Sequence, residues 1–323
     1  MGRKVYMPSR FVQYVKDYFD ENNVEIVEGP QDTLQDLLDN SIGCDAVMVA
    51  LGPICREYME ANKDLKVAAK LGIGVDNIDF KAGEELGIWC ANAPQSNSLS
   101  VAEFTITAIC NMSRKYSRFV DATFKDDWKA RLPELIGQEM EGKTIAIFGM
   151  GRIGSIVAKK AYYGLGMRVI AYNSHIHKDT LPEYVELYDS IEDLLAEADY
   201  VSVHMPLTDE TRGMFNAERF AQMKPTALFL NMARGPIVDE DALYNALKNG
   251  EIAGATMDAF AVEPPDVHAP LFTLPNFYPT PHKASHTKDA QRRMAEHAAK
   301  NIVAVLDGKE PVWPVNHPSD PRK

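Results

Sequence analysis

Residues 143–154, K-T-I-A-I-F-G-M-G-R-I-G, constrain the fold of this chain more than any other stretch. Thr144–Phe148 is a short apolar run with β-branched residues, the pattern of a buried strand. Gly149, Gly151 and Gly154 follow at once in G-x-G-x-x-G spacing. Ile153, Ile156, Val157 and Ala161 then recur at helical intervals. Strand, glycine turn and helix together point to an open α/β sheet with a dinucleotide site at the turn. In such a turn Gly149 permits the sharp exit from the strand, Gly151 lets the backbone approach a pyrophosphate, and Gly154 lets the helix pack on the strand. N–H groups at the helix start, aided by the helix dipole, favour the phosphate charge. A glycine turn that binds nothing is the plainer alternative, but it does not call for this flanking order.

The remaining chain repeats the strand–helix alternation. Before the glycine turn, apolar runs at 4–7, 24–27, 46–49, 67–70 and 88–91 are separated by segments of helix length at 11–22, 33–38 and 80–86. That alternation predicts a parallel sheet covered by helices. A-N-A-P-Q-S-N reads as a linker, and Ser100-Val101-Ala102-Glu103 has the capping-box form of a helix start. The helix it opens is expected to run unbroken toward Phe119, apolar on more than one face. Strands are expected again at 168–172, 200–204, 227–231, 254–257 and 277–278, with helices at 191–197, 240–248 and 289–306. The Pro-rich tail after Gly308 reads as a surface strap. The expectation is α/β, two doubly wound parallel-sheet domains, with the first crossing between them just before the helix near Ser100 and the glycine turn in the second.

Composition removes other classes. Across 323 residues, 46% hydrophobic and 25% charged exclude a disordered or fibrous chain. A formal net charge of −12 argues against nucleic-acid or anionic-membrane binding. The N-terminal M-G-R-K-V-Y-M-P-S-R has no apolar segment of secretory type, and no apolar run approaches the ~20 residues of a membrane span. Cys44, Cys55, Cys90 and Cys110 are scattered without a C-x-x-C pair, so reduced thiols in a cytoplasmic protein are expected, with no metal site.

Further motifs then fall into place: L-G-I-G-V-D-N-I-D at 71–79, V-H-M-P-L-T at 203–208, N-M-A-R-G-P-I-V-D at 231–239, M-D-A-F-A-V-E-P-P at 257–265 and T-P-H-K-A-S at 280–285. With the glycine turn, these resemble the D-isomer-specific 2-hydroxyacid dehydrogenase family over nearly the whole chain. The resemblance implies a Rossmann dinucleotide-binding domain at 99–286 and a flavodoxin-like substrate (catalytic) domain at 1–98 with 287–323. It implies NAD(H) or NADP(H) as cofactor and a small 2-oxo or 2-hydroxy acid as substrate. A homodimer formed through the helix near Ser100 is also implied.

By the same resemblance Arg234, Glu263 and His282 form the catalytic set. The chemistry suits those residue types. A His supplies a proton near neutral pH, and a carboxylate beside it favours the imidazolium. An Arg binds the substrate carboxylate with forked donors. Gly72, Ile73 and Gly74 are expected to offer backbone N–H groups to that carboxylate, and Asn97 to stand near the substrate entrance. Around the dinucleotide the family places Gly149, Gly151, Arg152, Ile153, Gly154, Asn173, His204, Pro206, Thr211, Ala233 and Asp258. Asp258 would orient the nicotinamide carboxamide, with a strand-end cap as its alternative.

Three features depart from the family or narrow it. Asn173 stands where an acidic residue usually holds the adenosine ribose, near the ~20-residue spacing expected after the glycines. Without that charge NADP is expected to be tolerated or preferred, with His175, His177 and Lys178 as phosphate partners. Lys283 follows the catalytic His directly, and His286 comes soon after. The A-L-G-P-I stretch at 50–54 lacks the Arg-Ser pair of phosphoglycerate-type relatives, and no regulatory domain follows the second sheet. Both weaken a phosphorylated substrate. Glu263 disfavours formate oxidation, since that branch carries a neutral amide there. A different class remains beside the enzyme: a dinucleotide-sensing corepressor or other protein-binding regulator retains the same three residues, and turnover discriminates the two.

Overall fold

The short apolar runs become strands that pair in parallel and gather into two sheets. The computed structural model describes residues 3–125, 127, 135–173 and 180–322. The chain divides into two units, Met1–Asn97 with His286–Lys323, and Ser98–Ser285. Among the described residues no helix is long and apolar enough to cross a membrane.

In the first unit β1 (Arg3–Pro8), β2 (Val24–Gly29), β3 (Ala46–Val49), β4 (Val67–Lys70) and β5 (Trp89–Ala91) take the order β2-β1-β3-β4-β5. Alternate side chains point to opposite faces of a strand. Val5, Met7, Ala46 and Met48 pack with Phe19 of α1 (Lys16–Glu21) and with Ala295, Ala298 and Ile302 of α11 (Lys288–Leu306). Tyr6, Val47 and Val49 face the other way. They meet Leu37 of α2 (Leu34–Asn40), Tyr58 of α3 (Arg56–Ala61) and Ala82 of α4 (Phe80–Leu86). The tail after α11 straps the β5 edge: Val315 N–H donates to Cys90 O at 2.9 Å and Cys90 N–H to Asn316 Oδ1 at 2.7 Å.

The second unit holds the glycine turn. Its sheet contains β6 (Thr144–Phe148), β7 (Arg168–Tyr172), β8 (Val185–Leu187), β9 (Tyr200–Val203), β10 (Leu228–Asn231), β11 (Gly254–Met257) and β12 (Phe277–Pro279), in the order β12-β11-β10-β9-β6-β7-β8. The order reverses between β6 and β9, which sets a ligand crevice at the carboxyl end of β6. One face packs on α5 (Ser98–Arg114) and α7 (Arg152–Leu165) through Ile145, Ile147, Leu228 and Leu230. The other carries an aromatic cluster, Phe148, Phe215, Phe220 and Phe229. It is covered by α8 (Ile191–Glu197), α9 (Ala217–Ala221) and α10 (Glu240–Asn249).

Three local expectations need correction. The 11–22 segment is a 3-10 helix over Ser9–Tyr14 followed by α1, separated by Val15 at φ −136°. The long helix begins at Ser98, so Ser100 lies buried inside its first turn and does not cap it. That helix also does not run through to Phe119. It stops at Arg114, Lys115 turns left-handed at φ 55°, and α6 (Tyr116–Phe124) follows. The cause is a diverted carbonyl: Ser113 O accepts Gln138 N–H at 2.8 Å, while Ser117 N–H turns to Asn111 Oδ1 at 2.8 Å.

Candidate active site

The turn between β6 and α7 is shaped by its glycines. Gly149 sits at φ +94°, and a Cβ there would lie 2.8 Å from Met205 Cγ. On Gly154 a Cβ would lie 2.1 Å from Gly149 O, whereas on Gly151 it would meet nothing within 4 Å. The outer glycines therefore serve the protein's own packing, and the middle one leaves open space at the start of α7. No side chain caps that helix, whose first turn includes Arg152 and Ile153. Its leading N–H groups have no upstream helix carbonyl to bond. Open space, uncapped donors and a helix N-terminus fit a pyrophosphate.

Around this cradle, Asn173 Oδ1 accepts the Met150 N–H at 3.1 Å, so the side chain's remaining group is its Nδ2 donor. His175, His177 and Lys178 lie outside the described residues. His204 follows β9, with its Nε2 2.8 Å from Ser202 Oγ. Its Nδ1 is buried with no hydrogen-bond partner among the described residues, although the residue keeps part of its surface exposed. Burial pushes its pKa down to about 3, so the ring is neutral at working pH. Thr211 Oγ1 donates to Pro206 O at 2.8 Å and accepts Thr208 N–H at 2.8 Å, which closes the 206–211 loop on itself.

Past the ends of β10, β11 and β12 three further loops converge. Asn231, fully buried, donates from Nδ2 to Arg234 O at 2.9 Å and accepts Ala233 N–H at 3.0 Å. That shapes the turn carrying Ala233 and Arg234. Gly235 then passes so near the next loop that a Cβ would lie 1.9 Å from Phe260 C. Glu263 ends that next loop: its Oε1 accepts Phe260 N–H at 3.0 Å, and its Oε2 lies 2.7 Å from His282 Nδ1. A carboxylate only accepts, so His282 Nδ1 carries the proton of this bond and Nε2 is left for substrate. Burial raises the Glu263 pKa, but the His282 hydrogen bond, the Phe260 N–H and the Arg234 charge outweigh it, leaving Glu263 below the usual carboxylate value.

His282 itself has φ 52°, a left-handed conformation that non-glycine residues rarely adopt. Asp258 holds it there. This carboxylate, 3% exposed, accepts Thr280 Oγ1 at 2.6 Å, Lys283 N–H at 2.8 Å and Ala284 N–H at 2.8 Å. Strain of this kind persists where surrounding contacts over-determine it. Asp258 thus anchors the loop around His282, the strand-end role that sequence left as its alternative. Lys283 contributes its backbone to that anchor and leaves its side chain exposed, as His286 does. Sequence reasoning missed Asn231 and Thr280. The only signal was a polar residue at a strand end where an apolar one would suit burial.

In the first unit the loop after β4 carries Gly72, Ile73 and Gly74. Gly72 O accepts Ala93 N–H at 2.8 Å, and Ile73 O accepts Asn92 Nδ2 at 2.8 Å. In a trans peptide the carbonyl and the following N–H point opposite ways. The N–H groups of Ile73 and Gly74 therefore face away from 92–93, as a pair. Asn97 lies at the end of the same unit's linker, and its Oδ1 is buried without a partner among the described residues.

Residues 106–284 match the family model described as D-isomer specific 2-hydroxyacid dehydrogenase, NAD binding domain. The chain is 36% identical over 315 residues to a glyoxylate reductase of Korarchaeum cryptofilum, covering 96% of this chain and 93% of that protein. It is 38% identical over 302 residues to a D-3-phosphoglycerate dehydrogenase of Methanocaldococcus jannaschii, covering 93% of this chain but spanning only 56% of that relative's length. Among solved structures, the TT0316 protein from Thermus thermophilus superposes with a TM-score of 0.87 at 36% identity, over 97% of this chain and 99% of that one.

Proposed function

The chain belongs to the D-isomer-specific 2-hydroxyacid dehydrogenase family, and from that premise we propose that it reduces a small 2-oxo acid to the D-2-hydroxy acid with a nicotinamide dinucleotide. The reading rests above all on one observation, the 2.7 Å pairing of His282 Nδ1 with Glu263 Oε2 beside the Arg234 turn. The Gly149–Gly154 cradle would hold the pyrophosphate, and the bound nicotinamide supplies the hydride. His282 Nε2 gives a proton to the carbonyl oxygen as the hydride reaches carbon, and takes it back in the reverse direction. Glu263 fixes the orientation of the ring through Nδ1. Arg234 binds the substrate carboxylate and polarises the carbonyl. Within the first unit, the paired N–H groups of Ile73 and Gly74 suit a substrate carboxylate, and Asn97 Oδ1 offers an acceptor.

Asn173 supports acceptance of NADP(H) beside NAD(H). It brings no negative charge against a 2′-phosphate and presents Nδ2 as a donor. Glyoxylate and hydroxypyruvate are the substrates we favour, since the 50–54 loop has no cation for a phosphate. A homodimer through α5 and the α6 that follows is supported by exposed Tyr116, Phe119 and Phe124. Tyr116 and Phe119 border a hollow of about 460 Å³ that Thr107, Cys110 and Arg114 also line.

The test is His282→Ala. Loss of a general acid should lower turnover of glyoxylate by roughly 10²–10⁴-fold while dinucleotide binding, read by fluorescence, stays near wild type. Turnover close to wild type would remove His282 from the mechanism.

A further inference from the structure

In the order β2-β1-β3-β4-β5 the direction of sheet growth reverses between β1 and β3, the place where open sheets take ligands at the carboxyl ends of their strands. Three successive N–H groups after β3 converge there on one atom. Ala50, Leu51 and Gly52 donate to Asp32 Oδ2 at 2.5, 2.9 and 3.0 Å. Successive backbone donors aimed at a point form a concavity for an anion. In this chain the anion is its own carboxylate, 7% exposed.

The neighbouring loops hold it in place. Tyr6 Oη donates to Gln31 O at 2.9 Å and Ser9 Oγ to Gly29 O at 3.1 Å, fixing the segment that carries Asp32. A Cβ on Gly52 would lie 1.6 Å from Asp32 O, so only glycine allows this approach. The 50–52 loop is tied in turn to the glycine loop at 72–74. Lys70 Nζ donates to Ala50 O, and to Asn77 Oδ1 at 2.8 Å. Asn77 Nδ2 donates to Gly52 O, and Ile54 N–H to Asn77 O at 2.8 Å.

Direction links this block to substrate. The carbonyls of Gly72 and Ile73 point to 92–93, on the β5 side of β4. The N–H groups of Ile73 and Gly74 therefore point to the β3 side, where the 50–52 loop lies. If those N–H groups seat the substrate carboxylate, as proposed above, the substrate lies against the 50–52 loop. That loop offers the substrate Leu51, 64% exposed, with its backbone donors already taken. Lys70 is buried and its ammonium is engaged within the block by Ala50 O and Asn77 Oδ1.

The geometry points to Asp32 as a specificity-determining residue, which excludes phosphorylated 2-oxo acids by occupying the donors that would otherwise receive the phosphate. A hydrogen, methyl or hydroxymethyl group against Leu51 loses nothing. A phosphate there meets a carboxylate and no free donor, and selectivity built on repulsion follows.

Hydroxypyruvate and its 3-phosphate ester differ only by the phosphate, which makes them the matched probes. Wild type should favour the unesterified acid in kcat/KM by about 100-fold or more, and Asp32→Ser should narrow that ratio roughly tenfold by raising the ester's value. Asp32→Asn, nearly the same shape without the charge, should move the ratio in the same direction and serves if the serine variant does not fold. Equal use of both acids by wild type overturns the inference, as does an unchanged ratio in a folded variant. Calorimetric titration of the ester and of hydroxypyruvate onto the dinucleotide-bound proteins reads the same discrimination without turnover. Absence of turnover with either acid would then count against the dehydrogenase reading, while the binding ratio still decides the role of Asp32.

Discussion

His282 depends on two carboxylates that do different things. Glu263 touches the ring at Nδ1, whereas Asp258 grips the backbone on the far side of the left-handed residue and the Thr280 hydroxyl before it. Glu263 is held below the usual carboxylate value by His282, the Phe260 N–H and Arg234 despite its burial, so it stays charged through the neutral range. Reduction needs the imidazolium, and the His282 charge is among the causes that lower Glu263, a coupling that is reciprocal between the two groups. Glu263→Gln should therefore shift the pH above which reduction fails to lower pH, without altering the fold. A pH–rate profile superposing on wild type would show that Glu263 does not act through His282. Sequence placed Glu263 and His282 by motif, and their residue types made chemical sense. The Asp258 anchor was harder to read. A carboxylate that ties down a neighbouring loop leaves no periodicity, and its donors lie 22 to 26 positions away along the chain.

Strands buried on both faces were the most legible elements, since such runs are continuously apolar and bounded by turns. β7, β11 and α8 carry the boundaries that sequence predicts. β8 escaped notice because it has three residues and only Val185 is buried. The break between α5 and α6 escaped because its cause is distant: Gln138 captures Ser113 O from well beyond the helix. The glycine turn gives the sharpest contrast between packing and binding. Gly154→Ala puts a methyl 2.1 Å from Gly149 O and should destabilise the fold by about 1–3 kcal/mol in denaturant titrations. Gly151→Ala adds a methyl to open space. It should leave the denaturation midpoint almost unchanged and weaken dinucleotide binding. Equal binding by the Gly151 variant would mean that the cradle takes no phosphate.

The two sheets follow from one repeated instruction, a buried strand answered by an amphipathic helix, and that made the fold class readable across the chain. What pattern alone could not convey was which elements from distant parts of the sequence share a unit. α11 packs on β4 and the tail straps β5, so the first unit takes its last pieces from the far end of the chain. The choice of substrate is less legible still, because it rests on loop donors and their occupants and not on periodic pattern. The most direct test is the loss of reduced-nicotinamide absorbance with glyoxylate, hydroxypyruvate and pyruvate, run side by side with NADH and NADPH. Consumption of both cofactors is expected with at least one of these acids, matched mole for mole by the 2-hydroxy acid, in the D configuration where that product is chiral. A flat trace with every acid and both cofactors, from protein shown to bind dinucleotide, would contradict it.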